Sequence, residues 1–106
     1  EDKKWKWVDI GKEVGERVAK SEFNFGVVCC WSGTGVCMAA NRFRGARAAL
    51  CWDAETAKLA RKWDNANILC LSLRFTSETV AKEILEAWFR GEFDEEGLNE
   101  VHKLEE

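Results

Sequence analysis

The fold is decided by residues 25–41, Phe25-Gly26-Val27-Val28-Cys29-Cys30-Trp31-Ser32-Gly33-Thr34-Gly35-Val36-Cys37-Met38-Ala39-Ala40-Asn41. The apolar residues at its start predict a β-strand, and the small residues at its end predict a helix. Gly33 and Gly35 allow the unusual backbone angles that so abrupt a change requires. The turn directs backbone N–H groups at an open crevice beside the Cys30 thiol, where an anion or a developing oxyanion can be held. We therefore expect any chemistry of this protein at this turn.

Helix and strand patterns alternate on both sides of this turn. The spacing of apolar residues predicts helices at 9–20, 36–43, 53–62 and 77–88 and strands at 25–30, 46–51 and 68–73. Residues 94–104 are expected to form a last helix or an ordered tail. Asp9 and Asp53 are the expected N-caps, and residues 1–7 are expected to form an extended lead-in. Gly11 and Gly15 either weaken the first helix or mark a face packed closely against a neighbour. The alternation predicts a single α/β domain, residues 1–106, with a parallel sheet covered by helices.

The strand predicted at residues 25–30 is continuously apolar, which is typical of a parallel strand buried on both faces. Three strands are few for such a sheet, and the strand edge at Val27 and Val28 would then be exposed and open to pairing. We expect a missing N-terminal segment or a partner chain to cover it. A protein that truly starts at Glu1 is expected to associate with itself through this edge.

The composition predicts a small globular protein. With 46% hydrophobic and 33% charged residues, the 106-residue chain has enough apolar side chains for a core and enough charge for a polar surface. Its 16 basic and 19 acidic residues give a net charge of −3 that is spread along the chain, which argues against nucleic-acid binding. No apolar run reaches the roughly 20 residues of a membrane helix, so no membrane contact is predicted.

The five cysteines are Cys29, Cys30, Cys37, Cys51 and Cys70. None has the C-x-x-C spacing of a zinc or redox site, and an odd number does not suit a disulfide framework. We interpret them as buried, reduced thiols of a cytoplasmic protein and expect no metal or cofactor. Cys30 is the functional candidate among them because of its position at the turn.

Six tryptophans are many for a chain of this length. Trp31 and Trp63 are predicted to flank a pocket. The remaining four are predicted to fill the core or an interface: Trp5, Trp7, Trp52 and Trp88. The only histidine, His102, lies in an acidic C-terminal run and is interpreted as a solvated surface residue.

Three sequence blocks carry a family resemblance. They are residues 30–41, then Gly45-Ala46-Arg47-Ala48-Ala49-Leu50-Cys51-Trp52, then Thr56-Ala57-Lys58-Leu59-Ala60-Arg61 continued by Asn65-Ala66-Asn67-Ile68-Leu69. In this order and spacing they resemble the type B ribose-5-phosphate isomerase family, which includes galactose-6-phosphate isomerase subunits. The resemblance extends from Trp7 to about Phe89.

The resemblance implies a doubly wound, Rossmann-like fold and a homodimer or higher oligomer with active sites near the subunit boundary. The family's reaction moves a proton between neighbouring carbons of a sugar or sugar phosphate, converting aldose and ketose through an enediolate. Cys30 falls on the position of the thiolate base, and Ser32 falls on that of a threonine hydroxyl. The N–H groups of residues 33–36 would line the oxyanion site.

The resemblance also suggests which residues contact the substrate: Trp31, Gly33, Thr34, Gly35, Val36, Trp63 and Asp64. Trp63 stands where the family carries a histidine that assists ring opening, and its indole face can stack on a sugar. The alternative for Trp63 and Asp64 is a purely structural role as a helix end and its cap. The family's phosphate-binding arginines would lie near Leu98 and His102. The family's first strand, which ends in an Asp-His pair, would precede Glu1, so we expect a chain truncated at its N-terminus.

Two other functions remain open at this point. The first is a non-catalytic sugar-binding or assembly subunit of the same fold, since the family's Asp-His pair and ring-opening histidine have no counterpart in this sequence. The second is a nucleotide-binding Rossmann-like module, which ranks last because the G-x-G-x-x-G spacing is missing.

Overall fold

A three-stranded parallel sheet forms the centre of the molecule, which a computed structural model describes for residues 6–106. The strands are β1 (Gly26–Cys30), β2 (Ala48–Leu50) and β3 (Ile68–Ser72). The helices are α1 (Trp7–Ala19), α2 (Thr34–Ala40), α3 (Ala54–Asp64), α4 (Glu78–Arg90) and α5 (Leu98–Leu104), with a short 3₁₀ turn at Glu95–Gly97. The predicted α/β class with a parallel sheet is confirmed.

Strand β3 lies in the middle of the sheet, whose order is β1-β3-β2. Gly26 pairs with Ile68 and Cys30 pairs with Ser72, so that β1 and β3 end at the same level. Every residue of β3 is buried, because the strand has a neighbour on each side and helices above and below it. Cys30 therefore lies at the carboxyl edge of the sheet, the edge at which open parallel sheets bind their ligands.

Helices α1 and α2 cover one face of the sheet, and α3 and α4 cover the other. The contact between α1 and α2 depends on glycine, since a Cβ atom at Gly11 would lie 2.6 Å from the Ala39 Cβ and one at Gly15 would overlap the Ala40 carbonyl oxygen. Of the two alternatives for these glycines, the closely packed face is confirmed. None of the described helices combines the length and the apolar content needed to cross a bilayer.

Two helix starts are where the sequence places them. The Asp53 carboxylate accepts a hydrogen bond from the Thr56 backbone N–H at 2.8 Å and caps α3. The Ser77 hydroxyl accepts one from the Val80 N–H at 3.1 Å and caps α4. In both cases a side-chain oxygen accepts a hydrogen bond from a backbone N–H group that has no carbonyl partner within the first turn of the helix.

Three other predicted boundaries are wrong. Helix α1 begins at Trp7, so Asp9 lies in its first turn and Lys6 takes the N-cap position. Residues 1–5, which belong to the predicted lead-in, are outside the described part of the chain. Helix α2 ends at Ala40 because the side chain of Asn41 turns away to pair with the backbone of β2, which itself spans only three residues.

The prediction that β1 is buried on both faces is also wrong. Val28 is 3% exposed, but Val27 is 42% exposed and the Cys29 thiol is exposed as well. The reason is the strand order, because β1 lies at the end of the described sheet and α4 covers mainly its neighbour β3. Cys29 is therefore not the packed core thiol that was expected, whereas Cys51 and Cys70 are buried.

Of the two alternatives predicted for the tryptophans, core or interface, the core is confirmed for Trp88 and is wrong for Trp7 and Trp52. Trp88 is fully buried in the core, whereas Trp7 and Trp52 are 50% and 46% exposed and are not core residues. Trp5 lies outside the described residues. His102 is exposed on α5, as predicted.

Candidate active site

The turn between β1 and α2 is held in a conformation that only glycine adopts easily. Gly33 has a φ of 82°, in the left-handed region. A Cβ atom at this position would lie 2.6 Å from the Leu50 Cδ1 and 3.0 Å from the Leu71 carbonyl carbon. The turn is thus seated against the carboxyl ends of both neighbouring strands, and it begins directly after Cys30.

The end of β3 fixes the first part of the turn. The buried Ser72 hydroxyl donates a hydrogen bond to the Trp31 carbonyl at 2.9 Å and accepts one from the Phe75 N–H at 3.1 Å. The Leu73 N–H donates to the Cys30 carbonyl at 3.0 Å. These bonds hold the backbone of residues 30 and 31 in place, and with it the direction of the Cys30 side chain.

Two hydroxyl groups stand side by side on the turn. The oxygens Ser32 Oγ and Thr34 Oγ1 are 2.7 Å apart, and the Thr34 N–H donates to Ser32 Oγ at 3.3 Å. A hydroxyl pair of this kind can pass a proton from one oxygen to another. Ser32 and Thr34 therefore belong to the same site as Cys30.

The Cys30 thiol is surrounded by backbone donors. Burial raises its pKa, but hydrogen bonds from the N–H groups of Val36, Gly33, Gly35 and Ser32 favour the thiolate and together outweigh the effect of burial. The pKa of Cys30 consequently lies below its ordinary value. A lowered pKa increases the fraction of the thiol that is present as thiolate, the form that can act as a base.

Cys30 is expected to react with iodoacetamide at lower pH than the adjacent Cys29. Burial raises the pKa of Cys29, and the neighbouring Cys30 adds to this effect. The pKa of Cys29 is therefore above the ordinary value of a thiol, and that of Cys30 is below it. Fragment-ion mass spectrometry after timed alkylation across a pH series distinguishes the two positions. Equal alkylation of both thiols at every pH would contradict this assignment.

A cavity of about 300 Å³ opens above the turn. Its lining consists of Trp7, Cys30, Trp31, Ser32, Thr34 and Gly35. This volume is at the lower end of the range for small-molecule sites. The structure thus brings together five of the residues predicted from sequence and adds a sixth, Trp7.

Trp7 is a member of the site that sequence reasoning placed in the core or an interface. It is the first residue of α1, and its ring lies so close to Gly35 that a Cβ atom there would be 2.7 Å from Trp7 Cε3. Trp31, 64% exposed, is a second indole at the cavity. Two indole rings at one small cavity are suited to stacking on the apolar face of a sugar.

Arg74 is a second residue that the sequence analysis did not single out. The Arg74 guanidinium lies 6.0 Å from the Trp31 ring, and the backbone N–H of Arg74 donates to the Trp31 carbonyl at 2.9 Å. None of the described residues that line the cavity has a positively charged side chain. Arg74 is not itself a lining residue, and its guanidinium also lies 5.2 Å from the Phe75 ring. It is a cation close to Trp31, two residues after the end of β3.

Four predicted substrate-contact residues do not line the cavity with a side chain, and Gly33 is one of them. The Val36 side chain is fully buried in the core, so only its backbone N–H faces the Cys30 thiol. Trp63 and Asp64 end α3, immediately before the amino end of β3. Because β3 is five residues long, they are separated from the carboxyl edge by about 13 Å of strand, and the structure does not bring them to the cavity within this chain.

Comparison with known proteins gives consistent results. Residues 1–105 match the family model described as Ribose/Galactose Isomerase. A probable ribose-5-phosphate isomerase B of Mycoplasma genitalium is 41% identical over 87 residues, which are 81% of this chain and 57% of that protein. A D-erythrulose-4-phosphate isomerase of Pectobacterium atrosepticum is 35% identical over 97 residues, or 92% of this chain and 62% of that protein.

The solved structures agree with the sequence matches. The ribose-5-phosphate isomerase B of Mycoplasma genitalium with bound ribulose-5-phosphate superposes with a TM-score of 0.90 at 36% identity, covering 98% of this chain and 70% of that one. The chain spans less than two thirds of the length of the curated relatives cited above.

Proposed function

Because the chain belongs to the ribose/galactose isomerase family, we propose that it interconverts an aldose and a ketose, both phosphorylated, by proton transfer through an enediolate. The observation that carries this proposal is the Cys30 thiol, which lies in a cavity and is surrounded by backbone N–H groups that lower its pKa. A base next to donors for a developing oxyanion is what this reaction requires.

In the proposed reaction the Cys30 thiolate removes the proton from C2 of the open-chain aldose. The C–H electron pair forms the C1–C2 double bond, and the aldehyde oxygen becomes an oxyanion that the N–H groups of Gly33 and Gly35 stabilise. The Ser32–Thr34 hydroxyl pair passes the O2 proton to O1. The Cys30 thiol then returns its proton to C1, which gives the ketose and restores the thiolate.

The rest of the cavity suggests how the sugar is held. Trp7 and Trp31 offer flat apolar surfaces to the carbon chain, and Arg74 lies where a phosphate group beyond the cavity mouth would find a cation. Arginine binds phosphate through its planar array of N–H donors. A phosphorylated sugar is therefore the substrate class that we propose.

Replacing Arg74 with glutamine is expected to raise KM for a sugar phosphate by about 10- to 100-fold, because a charge-assisted hydrogen bond contributes about 1.5–3 kcal/mol. The value of kcat is expected to change much less, since the phosphate is remote from the reacting carbons. Initial-rate kinetics of wild type and variant measure both quantities. Lys82→Gln, which removes a cation from exposed α4, is the matched control and is expected to leave both unchanged.

We also propose that the working unit contains two copies of the chain. Among the described residues that line the cavity of one copy, only Cys30 has a side chain suited to take a proton from carbon, and Trp63 and Asp64 lie at the other edge of the sheet. A second copy supplies its own Trp63 and Asp64 to the cavity if the amino edge of its sheet lies next to the carboxyl edge of the first copy's sheet.

The five free cysteines are consistent with a cytoplasmic location, which we propose as well.

A non-catalytic sugar-binding subunit is the second candidate. It is favoured by Trp63, which cannot transfer a proton at the position where the resemblance places a histidine. The experiment that separates the two candidates measures interconversion of ribose 5-phosphate, erythrulose 4-phosphate and galactose 6-phosphate, and binding of the same sugars by calorimetry. Turnover of any of them supports the isomerase, whereas binding without turnover supports the second candidate.

A further inference from the structure

Two cysteines outside the candidate active site meet between α2 and the sheet. Cys70 of β3 is fully buried, and it belongs to the same core cluster as Val36 of α2. Its neighbours Leu69 and Leu71 belong to the core on the other face of the sheet, so the Cys70 side chain points towards α2. Cys37 of α2 packs against the same cluster from the helix side. The fold therefore brings together two thiols that are distant in sequence.

The Cys37 sulfur is surrounded by polar groups. The Cys70 thiol and the Leu50 backbone N–H donate hydrogen bonds to it, and the side-chain amide of Asn41 donates to it at 3.8 Å. When protonated, the Cys37 thiol itself donates to the Ala48 carbonyl at 3.5 Å. The hydrogen bond from Cys70 lowers the pKa of Cys37 to about 7, although burial opposes this effect. A substantial fraction of Cys37 is therefore thiolate at neutral pH.

Cys70 has the opposite character. The hydrogen bond that it donates to Cys37, its burial and the negative charge of the Cys37 thiolate all raise the pKa of Cys70 above the ordinary value of a thiol. Cys70 therefore stays a neutral thiol whose hydrogen points at the Cys37 sulfur. Cys37 is only partly buried, so a small solute can reach it. An accessible thiolate in contact with a second thiol is the arrangement of a redox-sensitive cysteine pair.

We propose that Cys37 and Cys70 form an oxidation site for a hydroperoxide, at which Cys37 is the attacking thiol, Cys70 is the resolving thiol and a disulfide between them is the product. A small, uncharged oxidant suits a thiol that is partly buried. Neither cysteine lines the cavity at Cys30, so the site is separate from the proposed isomerase activity and does not depend on it. In a reducing compartment, a small thiol returns the pair to its reduced form.

The oxidation takes two steps. In the first, the Cys37 thiolate attacks an oxygen of hydrogen peroxide: an S–O bond forms, the O–O bond breaks and hydroxide leaves, so that Cys37 becomes a sulfenic acid. In the second, Cys70 gives its proton to this hydroxide, and its sulfur attacks the Cys37 sulfur. The S–S bond forms, the S–O bond breaks, and the departing hydroxide takes up the proton that Cys37 lost on ionisation. The two thiols together lose two electrons, and one peroxide becomes two waters.

The contact between the two sulfurs favours the second step. They are already joined by a hydrogen bond, so the attack requires no movement of α2 away from the sheet. The sulfenic acid at Cys37 is neutral, and its formation removes the negative charge that contributes to the raised pKa of Cys70. Cys70 then loses its proton more readily than it does beside the thiolate.

The other three cysteines lack this arrangement. Cys51 is buried in the core on the other face of the sheet, and burial raises its pKa to about 12. Cys30 has a lowered pKa, but the groups that donate to its thiol are backbone N–H groups and not a second thiol. Cys29 is adjacent to Cys30 on β1, where successive side chains point to opposite faces. We therefore expect the disulfide between Cys37 and Cys70 to be the main product.

The test treats the fully reduced, folded chain with one molar equivalent of hydrogen peroxide, alkylates the remaining thiols and maps the product by mass spectrometry. We expect the intact chain to lose the mass of two hydrogen atoms and to contain a Cys37–Cys70 cross-link. Cys37→Ala is expected to abolish this cross-link, whereas Cys29→Ala, which removes an exposed thiol, is the matched control and is expected to retain it. The same treatment in concentrated urea is expected to give a mixture of disulfides, because unfolding separates the two thiols.

The order of attack is tested with Cys70→Ala and dimedone, which traps sulfenic acids. Without its resolving thiol, Cys37 is expected to carry the dimedone adduct. Circular dichroism confirms that each variant is folded, and Cys37→Ala, at a partly exposed position, decides the question if Cys70→Ala does not fold. No disulfide in the folded wild type, a main cross-link between other cysteines, or the same mixture from folded and unfolded chain would overturn the proposal. A folded Cys70→Ala chain without the adduct at Cys37 would overturn the role of Cys37 as the attacking thiol.

Discussion

The Cys30→Ala variant is expected to lose about 10²- to 10⁴-fold in kcat/KM, the contribution typical of a general base. The methyl group keeps the fold of β1, because Cys30 is only partly buried and its backbone bonds to β3 do not involve the side chain. The loss should appear in kcat, since the proton transfer itself is impaired while the indoles and Arg74 still hold the sugar.

A matched control distinguishes this loss from a general effect of removing a thiol. Cys29→Ala removes the adjacent exposed thiol on the opposite face of β1, and it is expected to retain wild-type turnover. Cys30→Ser keeps a side chain of similar size but replaces the thiol with a hydroxyl, which does not ionise near neutral pH. This variant is therefore expected to lose turnover as Cys30→Ala does. If Cys30→Ala turns over as fast as wild type, Cys30 is not the base.

Gly33→Ala is expected to destabilise the protein by about 2–6 kcal/mol. A left-handed non-glycine residue costs about 1–3 kcal/mol, and an inserted methyl group in a packed site costs about 1–3 kcal/mol more. The methyl group would lie 2.6 Å from the Leu50 Cδ1 and 3.0 Å from the Leu71 backbone, which cannot move without distorting the sheet. The turn must then shift, and its N–H groups move away from the Cys30 thiol.

Gly45→Ala is the control for backbone strain alone. Gly45 has a φ of 97°, but a Cβ atom there has its nearest contact at 3.2 Å, and the residue is remote from the cavity. Urea unfolding should show a smaller loss, about 1–2 kcal/mol, with turnover of the folded protein unchanged. Equal stability and equal turnover of Gly33→Ala and wild type would show that the turn does not depend on glycine.

The strand–turn–helix around Cys30 could be predicted because its signals are local. An apolar run, two glycines and a run of small residues determine the backbone within 17 residues, and they place the thiol next to the N–H groups without reference to the rest of the chain. The family resemblance then suggests the roles that we propose for Cys30 and Ser32. Local sequence is informative wherever one short segment builds the whole feature.

Features that depend on contacts distant in sequence could not be predicted in this way. Trp7 reaches the cavity because α1 packs on α2 through Gly11, and Val27 is exposed because the strand order leaves β1 at the end of the described sheet. Arg74 had one usable signal, since it follows β3 and so emerges at the same carboxyl edge as Cys30. Neither the residue type of Trp63 nor its match to the family pattern tells on which edge of the sheet this residue lies.

The most direct test is the incorporation of solvent deuterium into sugar phosphate during turnover in D₂O, followed by nuclear magnetic resonance. If the Cys30 thiolate moves the proton through an enediolate, wild type places deuterium at the reacting carbon of at least one of ribose 5-phosphate, erythrulose 4-phosphate and galactose 6-phosphate. Cys30→Ala then shows no incorporation above the uncatalysed rate, while Cys29→Ala resembles wild type. Incorporation by Cys30→Ala at the wild-type rate, or none by wild type with any of the three sugars, would contradict the assignment.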